Sequence, residues 1–281
     1  MTKACYVGVA GKARKVKKIY TGVANKARKV KKAYVGVGGV ARPFFSAESG
    51  VEYYGQVTPL SQARADLSAT TVGNYGLFGG GYYMDDPYST VDAYSKALVR
   101  STPTELSERR YYLAATTVGN YGMFGGGCTP LGTMYYSMNT VDAYSASLVR
   151  STPTSLSQPR RLLAATTVGN YGLFGGGDGE SEEVDAYSAT LVRSTPTPLS
   201  ESRGALAATT VNGYGLFGGG RESKTVDAYS PALVRSTPHP MFTESGELAA
   251  ATVGNYGLFG GGFSYNSYFG IVNAYTVDGG G

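Results

Sequence analysis

The residues able to do chemistry are few and poorly placed for catalysis. Only one histidine, His239, occurs in 281 residues, which removes multi-histidine metal sites and most histidine-dependent triads. Cys5 and Cys128 form no CxxC pair and are too few for a disulfide framework. Carboxylates gather at Asp85-Asp86 and in the run DGESEE, Asp178–Glu183. Neither has the ligand spacing of a calcium loop, so both read as solvated acidic loops. The recurrent FGGG is no phosphate loop, because no lysine follows it and no helix opens after it. No nucleophile stands beside a base. The chain is therefore expected to have no enzymatic activity, no cofactor and no metal.

What remains is the chemistry of recognition. The chain has 24 tyrosines, side chains that offer large contact area at small entropic cost and end in a hydroxyl. Their placement depends on internal repeats, which decide the architecture. A block of the form LSATTVGNYGLFGGG begins at Leu67, Leu113, Leu163, Leu206 and Leu248. A second block, VDAYS, begins at Val91, Val141, Val184 and Val226, with VNAYT at Val272. A third, LVRSTP, begins at Leu98, Leu148, Leu191 and Leu233.

Each repeat parses into four short strands. AATTV is β-branched and suits a strand. A Gly-Asn turn follows, reversed to Asn212-Gly213 in the fourth copy, and both dipeptides suit tight hairpins with positive φ. YGLFGG is the second strand and VDAYS the third. LVRSTPT is the fourth, its proline suited to an outer edge. Four strands per repeat of roughly 45 residues is the pattern of a β-propeller blade. Asp92, Asp142, Asp185 and Asp227, with Asn273, are expected to make structural hydrogen bonds between strands. Arg100, Arg150, Arg193 and Arg235 are expected to be solvated or paired to an aspartate.

The ends suggest a closed ring. Val51–Leu60 aligns with strand four only, and the tail after Gly262 supplies strand three only. The expectation is an all-β, five-bladed propeller over 46–281, closed by an N-terminal strand that removes an exposed sheet edge. Because strands alternate in direction, the strand two–three and four–one loops share one face. The strand two–three loops vary far more than the strands do and hold Tyr82, Tyr83, Tyr88, Tyr135, Tyr136, Tyr265 and Tyr268. These are the candidate ligand-binding residues, since recognition usually sits on variable loops of a rigid scaffold.

FGGG, VDAY and an arginine ahead of the next strand one (Arg64, Arg109, Arg160 or Arg203) resemble Kelch repeats over residues 51–281. The resemblance implies a propeller scaffold. This chain departs from it in lacking tryptophan altogether and in having five blades where six or seven are common in the family.

The first 45 residues are a different object. They hold 12 of the 25 Lys and Arg and none of the 20 acids, so an arm of +12 precedes a body of −7, together the net +5. Tyr6–Ile19 (YVGVAGKARKVKKI) recurs at Tyr20–Ala33 and, truncated, at Tyr34–Phe45. Each unit reads as strand, turn, strand, a basic β-hairpin arm. The candidate anchor residues are Lys12, Arg14, Lys15, Lys17, Lys18, Lys26, Arg28, Lys29, Lys31 and Lys32. YVGV and KARKVKK strings resemble short repeats in tail and other virion proteins of phages infecting Gram-positive bacteria. That resemblance implies a structural protein of a virion (tail, baseplate or capsid surface), made in the host cytoplasm and homo-oligomeric in the particle. The arm would hold other virion proteins, and the propeller would meet a host surface glycan or protein. Ordered strands argue against nucleic acid as the arm's partner, and neither a secretory signal nor an apolar stretch of membrane-spanning length is present. The alternative is a Kelch-type protein-interaction module unrelated to virions.

Overall fold

The computed structural model describes residues 6–9, 12–15, 19–23, 26–30, 32–37, 40–46, 55–84, 86–131, 134–178 and 181–277. The chain divides into two compact units, Met1–Gln56 and Val57–Gly281. Among the described residues all regular structure is β.

In the first unit the three basic repeats form three separate antiparallel hairpins. They pair Tyr6–Val9 with Lys12–Lys15, Tyr20–Val23 with Lys26–Lys29, and Lys32–Val37 with Val40–Ser46. The first two share one register, with Tyr6 opposite Lys15 and Tyr20 opposite Lys29. Lys12, Arg14, Lys15, Lys26, Arg28 and Lys29 thus lie on the returning strands, and Lys32 opens the third hairpin. Lys17, Lys18 and Lys31 lie outside the described residues.

Among the described residues the second unit holds five larger antiparallel sheets in chain order, with three two-stranded hairpins between their strands. The first joins Ser68–Val72, Tyr75–Gly79, Val91–Ser95 and Arg100–Ser101. The second, third and fourth repeat this plan from Ala114, Ala164 and Ala207. The fifth joins Ala249–Val253, Tyr256–Gly260 and Val272–Thr276. The hairpin turns behave as the dipeptides require: Gly73, Gly119, Gly169 and Gly254 have positive φ, whereas in the reversed fourth turn both Asn212 and Gly213 do.

The fourth strands are shorter than LVRSTPT implies, only an Arg and a Ser each. VDAYS ends in a tight turn, where Leu98 takes a left-handed φ of 59° and donates to Ser95 O at 2.8 Å. Leu148, Leu191 and Leu233 do the same. This turn consumes the first residues of the expected strand.

Each inner strand packs against the next, from Ser68–Val72 through to Ala249–Val253. Between neighbours lies one apolar cluster, four clusters for five sheets. Its centre is a phenylalanine of one sheet resting on a glycine of the sheet before it. A Cβ added to Gly79, Gly125, Gly175 or Gly218 would come within 2.7–2.8 Å of Phe124, Phe174, Phe217 or Phe259. Only glycine permits that approach. Threonines link the same strands, as in Thr70 to Thr117 at 2.9 Å and Thr166 to Thr210 at 2.7 Å.

The expected closing strand is not formed among the described residues. The fifth sheet has three strands, and Gly55–Leu60 is not in a strand. Residues 58–64 engage the first sheet instead: Tyr94 donates to Thr58 O at 2.8 Å, Arg100 to Pro59 O at 2.7 Å, and Ser61 N to Asp92 at 3.1 Å. Tyr144 bonds Thr104 O and Ser107 bonds Asp142 in the same manner, so this segment is the connector into a sheet, not the edge of the previous one. Among the described residues the five sheets form a propeller-like array, with no strand shared between the first sheet and the fifth. Val253 and Val272 on the back of the fifth sheet are 58% and 62% exposed, whereas Val118 and Val141 at matching positions are buried.

Candidate functional site

The most chemically loaded groups turn out to be structural. Asp92, Asp142, Asp185 and Asp227 are fully buried. Each meets a buried arginine: Arg64 at 2.9 Å, Arg110 at 2.7 Å, Arg160, and Arg203 at 2.8 Å. The arginine of the second repeat is Arg110, a correction to the Arg109 expected from the motif; Arg109 is exposed. A second arginine approaches from the rim, closest for Arg193 to Asp185 at 2.8 Å and farthest for Arg100 to Asp92 at 3.8 Å. The carboxylates therefore brace connectors against sheets. In the fifth sheet both partners change together, to Ser245 and Asn273. Asn273 still accepts from Phe242 N at 3.0 Å, and Ser245 donates to Gly261 O at 2.9 Å.

A site does emerge where the five inner strands begin. The residue two past each of these arginines, or past Ser245, is Asp66, Tyr112, Leu162, Ala205 and Glu247. All five have left-handed φ, between 51° and 56°, although none is glycine. Their backbones are chained around the array, Tyr112 N to Asp66 O at 3.2 Å, Leu162 to Tyr112 at 3.1 Å, Ala205 to Leu162 and Glu247 to Ala205 at 2.8 Å each. Non-glycine residues held left-handed cost free energy that the surrounding structure must supply, and such strain gathers at functional sites. Nothing in residue type announces a positive φ here. The available signal was that this position differs in every copy while the leucine after it is constant.

Four of these residues open into a cup of about 450 Å³ lined by Asp66, Tyr112, Tyr135, Arg161, Leu162, Arg221 and Glu247. A smaller hollow of about 250 Å³ shares Asp66, Tyr112, Leu162 and Glu247 and adds the leucines that open each repeat. Strand two–three loops and strand four–one connectors thus share one face, as the alternation of strands predicts. Three of those loops fold into small hairpins, at Tyr82–Pro87, Cys128–Ser137 and Phe263–Tyr268.

The seven candidate tyrosines do not form one site. Tyr135 belongs to the cup. The Arg161 guanidinium lies 4.6 Å over its ring, and its edge meets buried Tyr111 at 6.4 Å. Tyr82 stacks on Tyr111 at 4.8 Å, which in turn packs on Tyr112, so Tyr82 supports the cup from behind. Half-buried Tyr88 serves through its backbone, bonding Gly81 and Arg110. Tyr83 and Tyr136 are exposed without aromatic partners among the described residues. Tyr265 lines a separate hollow of about 220 Å³ with Glu244 and Phe242, and the negative charges of Glu244 and Glu222 push its phenol up. Tyr268 is 87% exposed against Phe263.

The electrostatics of the cup are lopsided. Arg161 pairs with Asp178 at 2.8 Å, and Arg221 reaches the same carboxylate at 3.5 Å. Burial, opposed by a hydrogen bond from Tyr112, raises the Asp66 carboxyl above its ordinary value. Burial and the charge of Asp66 push Tyr112 up. Cys128 is buried with its thiol raised by desolvation, which makes it a poor nucleophile. No helix among the described residues is long and apolar enough to cross a membrane.

No family model and no curated protein matches the chain. Among solved structures it is similar to YjhT, a propeller-type protein, with 11% sequence identity, a TM-score of 0.61 and 86% of each chain covered. At that identity the likeness bears on the fold alone, and it agrees with an all-β, propeller-like array.

Proposed function

We propose that the chain is a non-enzymatic binding protein of a phage particle, a tail, baseplate or capsid-surface component. Its five sheets are read as Kelch-like blades, and its loop face presents the cup to a host surface glycan or protein. The basic hairpins are read as the anchor to other virion proteins, added strands being a common mode of such attachment. The observation that carries the binding role is the convergence of four strained backbone positions and two variable loops on one cavity. Support for the virion setting comes from the arm, with two near-identical units in one register and no acidic residue in its first 45 positions.

The reading is tested by raising antibodies to the purified chain, labelling particles by immunogold, and measuring binding of the chain to host cells. Labelled virions and saturable cell binding are expected. Unlabelled particles together with one stoichiometric partner from host lysate would replace it with a Kelch-type interaction module.

A further inference from the structure

The cup holds more information than its shape. On one wall two guanidinium groups, Arg161 and Arg221, share one carboxylate, Asp178, which leaves one positive charge in excess. Arg161 is half-sequestered, with its side chain 21% exposed and its Cζ 4.6 Å over the Tyr135 ring, so it is held in place before any ligand arrives. Elsewhere on the same cavity stand Asp66 and Glu247, neither within an ion pair among the described residues. Tyr112 and Tyr135 supply ring faces, and Leu162 adds an apolar contact.

The backbone around the mouth has little left to offer. The amides of Tyr112, Leu162, Ala205 and Glu247 are already spent on the circumferential chain of hydrogen bonds. A peptide bound as an added strand needs free main-chain donors and acceptors, and this mouth offers few. Recognition must go through side chains: guanidinium for an anion, carboxylates for hydroxyl donors, and phenol rings for the apolar face of a flat, polar ring. A cavity of about 450 Å³ falls within the range that encloses small ligands.

We propose that this cup binds a sugar unit carrying an anionic group, a carboxylate or a phosphate. The anion completes the charge shared by Arg161 and Arg221, the ring rests against Tyr135 and Tyr112, and hydroxyls donate to Asp66 and Glu247. The proposal rests on the binding role given above and names its ligand class. It also assigns Asp178 a distinct part, as a built-in competitor that occupies the guanidiniums until the ligand's anion arrives.

The full-length chain is titrated by calorimetry with glucuronate, glucose 6-phosphate and glucose. Either anionic sugar is expected to bind at least about tenfold more tightly than glucose, a difference of about 1.4 kcal/mol. The better of the two identifies the anion. Arg221→Gln alters an arginine that is mostly exposed, so folding is kept, and it should weaken the anionic sugar about tenfold. Asp178→Asn removes the competitor and should tighten the same sugar several-fold, the opposite sign from a merely structural carboxylate. Equal binding of glucose, no binding of any sugar, or weakening by Asp178→Asn overturns the proposal. Cell binding separates it from the broader reading. Host cells bound through a protease-sensitive partner, untouched by glucuronate, glucose 6-phosphate or Arg221→Gln, would sink the sugar and leave the attachment role. Glucuronate or glucose 6-phosphate bound without labelled particles or bound cells would do the reverse.

Discussion

Arg160 and Asp185 are both fully buried, and burying either charge alone costs far more than burying the pair. Asp185→Asn strands the buried Arg160 and should cost about 3–5 kcal/mol, whereas Arg160→Ser should cost less, since Asp185 keeps Arg193 at 2.8 Å. The fifth sheet contains a worked alternative, where Ser245 and Asn273 replace both charges at once. The double variant Arg160→Ser/Asp185→Asn copies that solution and should be more stable than the sum of its singles by at least about 1 kcal/mol, within the range of coupled contacts. Urea unfolding of the four proteins gives the coupling directly; additive singles would contradict the pairing. A second residue-scale consequence concerns Tyr144, Tyr187 and Tyr229. Each is buried, donates its hydroxyl to a backbone carbonyl, and is pushed far above its ordinary value of 10.0 by desolvation. Below pH 10 the folded and unfolded forms keep these protons alike. Above it the unfolded chain releases them first and binds fewer, so stability falls as pH rises. Absorbance titration at the phenolate band should show late-ionising tyrosines that titrate together with the loss of circular dichroism.

At the scale of the element, what repeats was readable and what varies was not. The inner hairpins, the reversed Asn212-Gly213 turn and the third strand were legible because β-branched runs and turn dipeptides recur at fixed offsets. Arg110 was missed for Arg109 because two arginines adjoin, although the offset of 50 residues from Arg160 selects Arg110. The outer strand was overestimated because a leucine such as Leu98 gives no sign of a left-handed φ. The cup was legible only in part: Tyr135 was singled out, whereas Arg161, Arg221, Asp66 and Glu247 were not, since they come together through connectors and a loop with no motif. One element-scale contact is open to a direct comparison. A Cβ on Gly125 would lie 2.8 Å from Phe174, but on Gly260 the nearest atom is a Val272 methyl at 3.1 Å, and no phenylalanine follows. Neither glycine has a positive φ. Gly125→Ala should therefore destabilise by about 1–3 kcal/mol through overpacking, and Gly260→Ala should be close to neutral. Equal losses in thermal melts would mean that the glycine–phenylalanine contact does not hold neighbouring sheets together.

For the whole molecule, the decisive boundary lies within the segment 57–64 that enters the first sheet. Asp92 is fully buried, and its charge is met by Arg64 at 2.9 Å and by Ser61, with Arg100 more distant at 3.8 Å. The same segment supplies the carbonyls of Thr58 and Pro59 to Tyr94 and Arg100. A chain beginning at Val57 retains all of these contacts and the compact unit that runs from Val57 to Gly281, so it should melt at the temperature of the full chain. A chain beginning at Ala65 leaves Asp92 buried with Arg100 alone. At about 3–5 kcal/mol for a stranded buried charge, and 2–4 °C per kcal/mol at this size, its melting temperature should fall by roughly 10 °C. Restoring tolerance by Asp92→Asn in the shorter chain would trace the loss to the stranded charge. Had residues 51–60 closed the array as an outer strand of the fifth sheet, the loss would already appear on cutting at Val57, and Asp92→Asn would do nothing to reverse it. Two truncations and one substitution, compared by calorimetry, distinguish a connector from a closing strand.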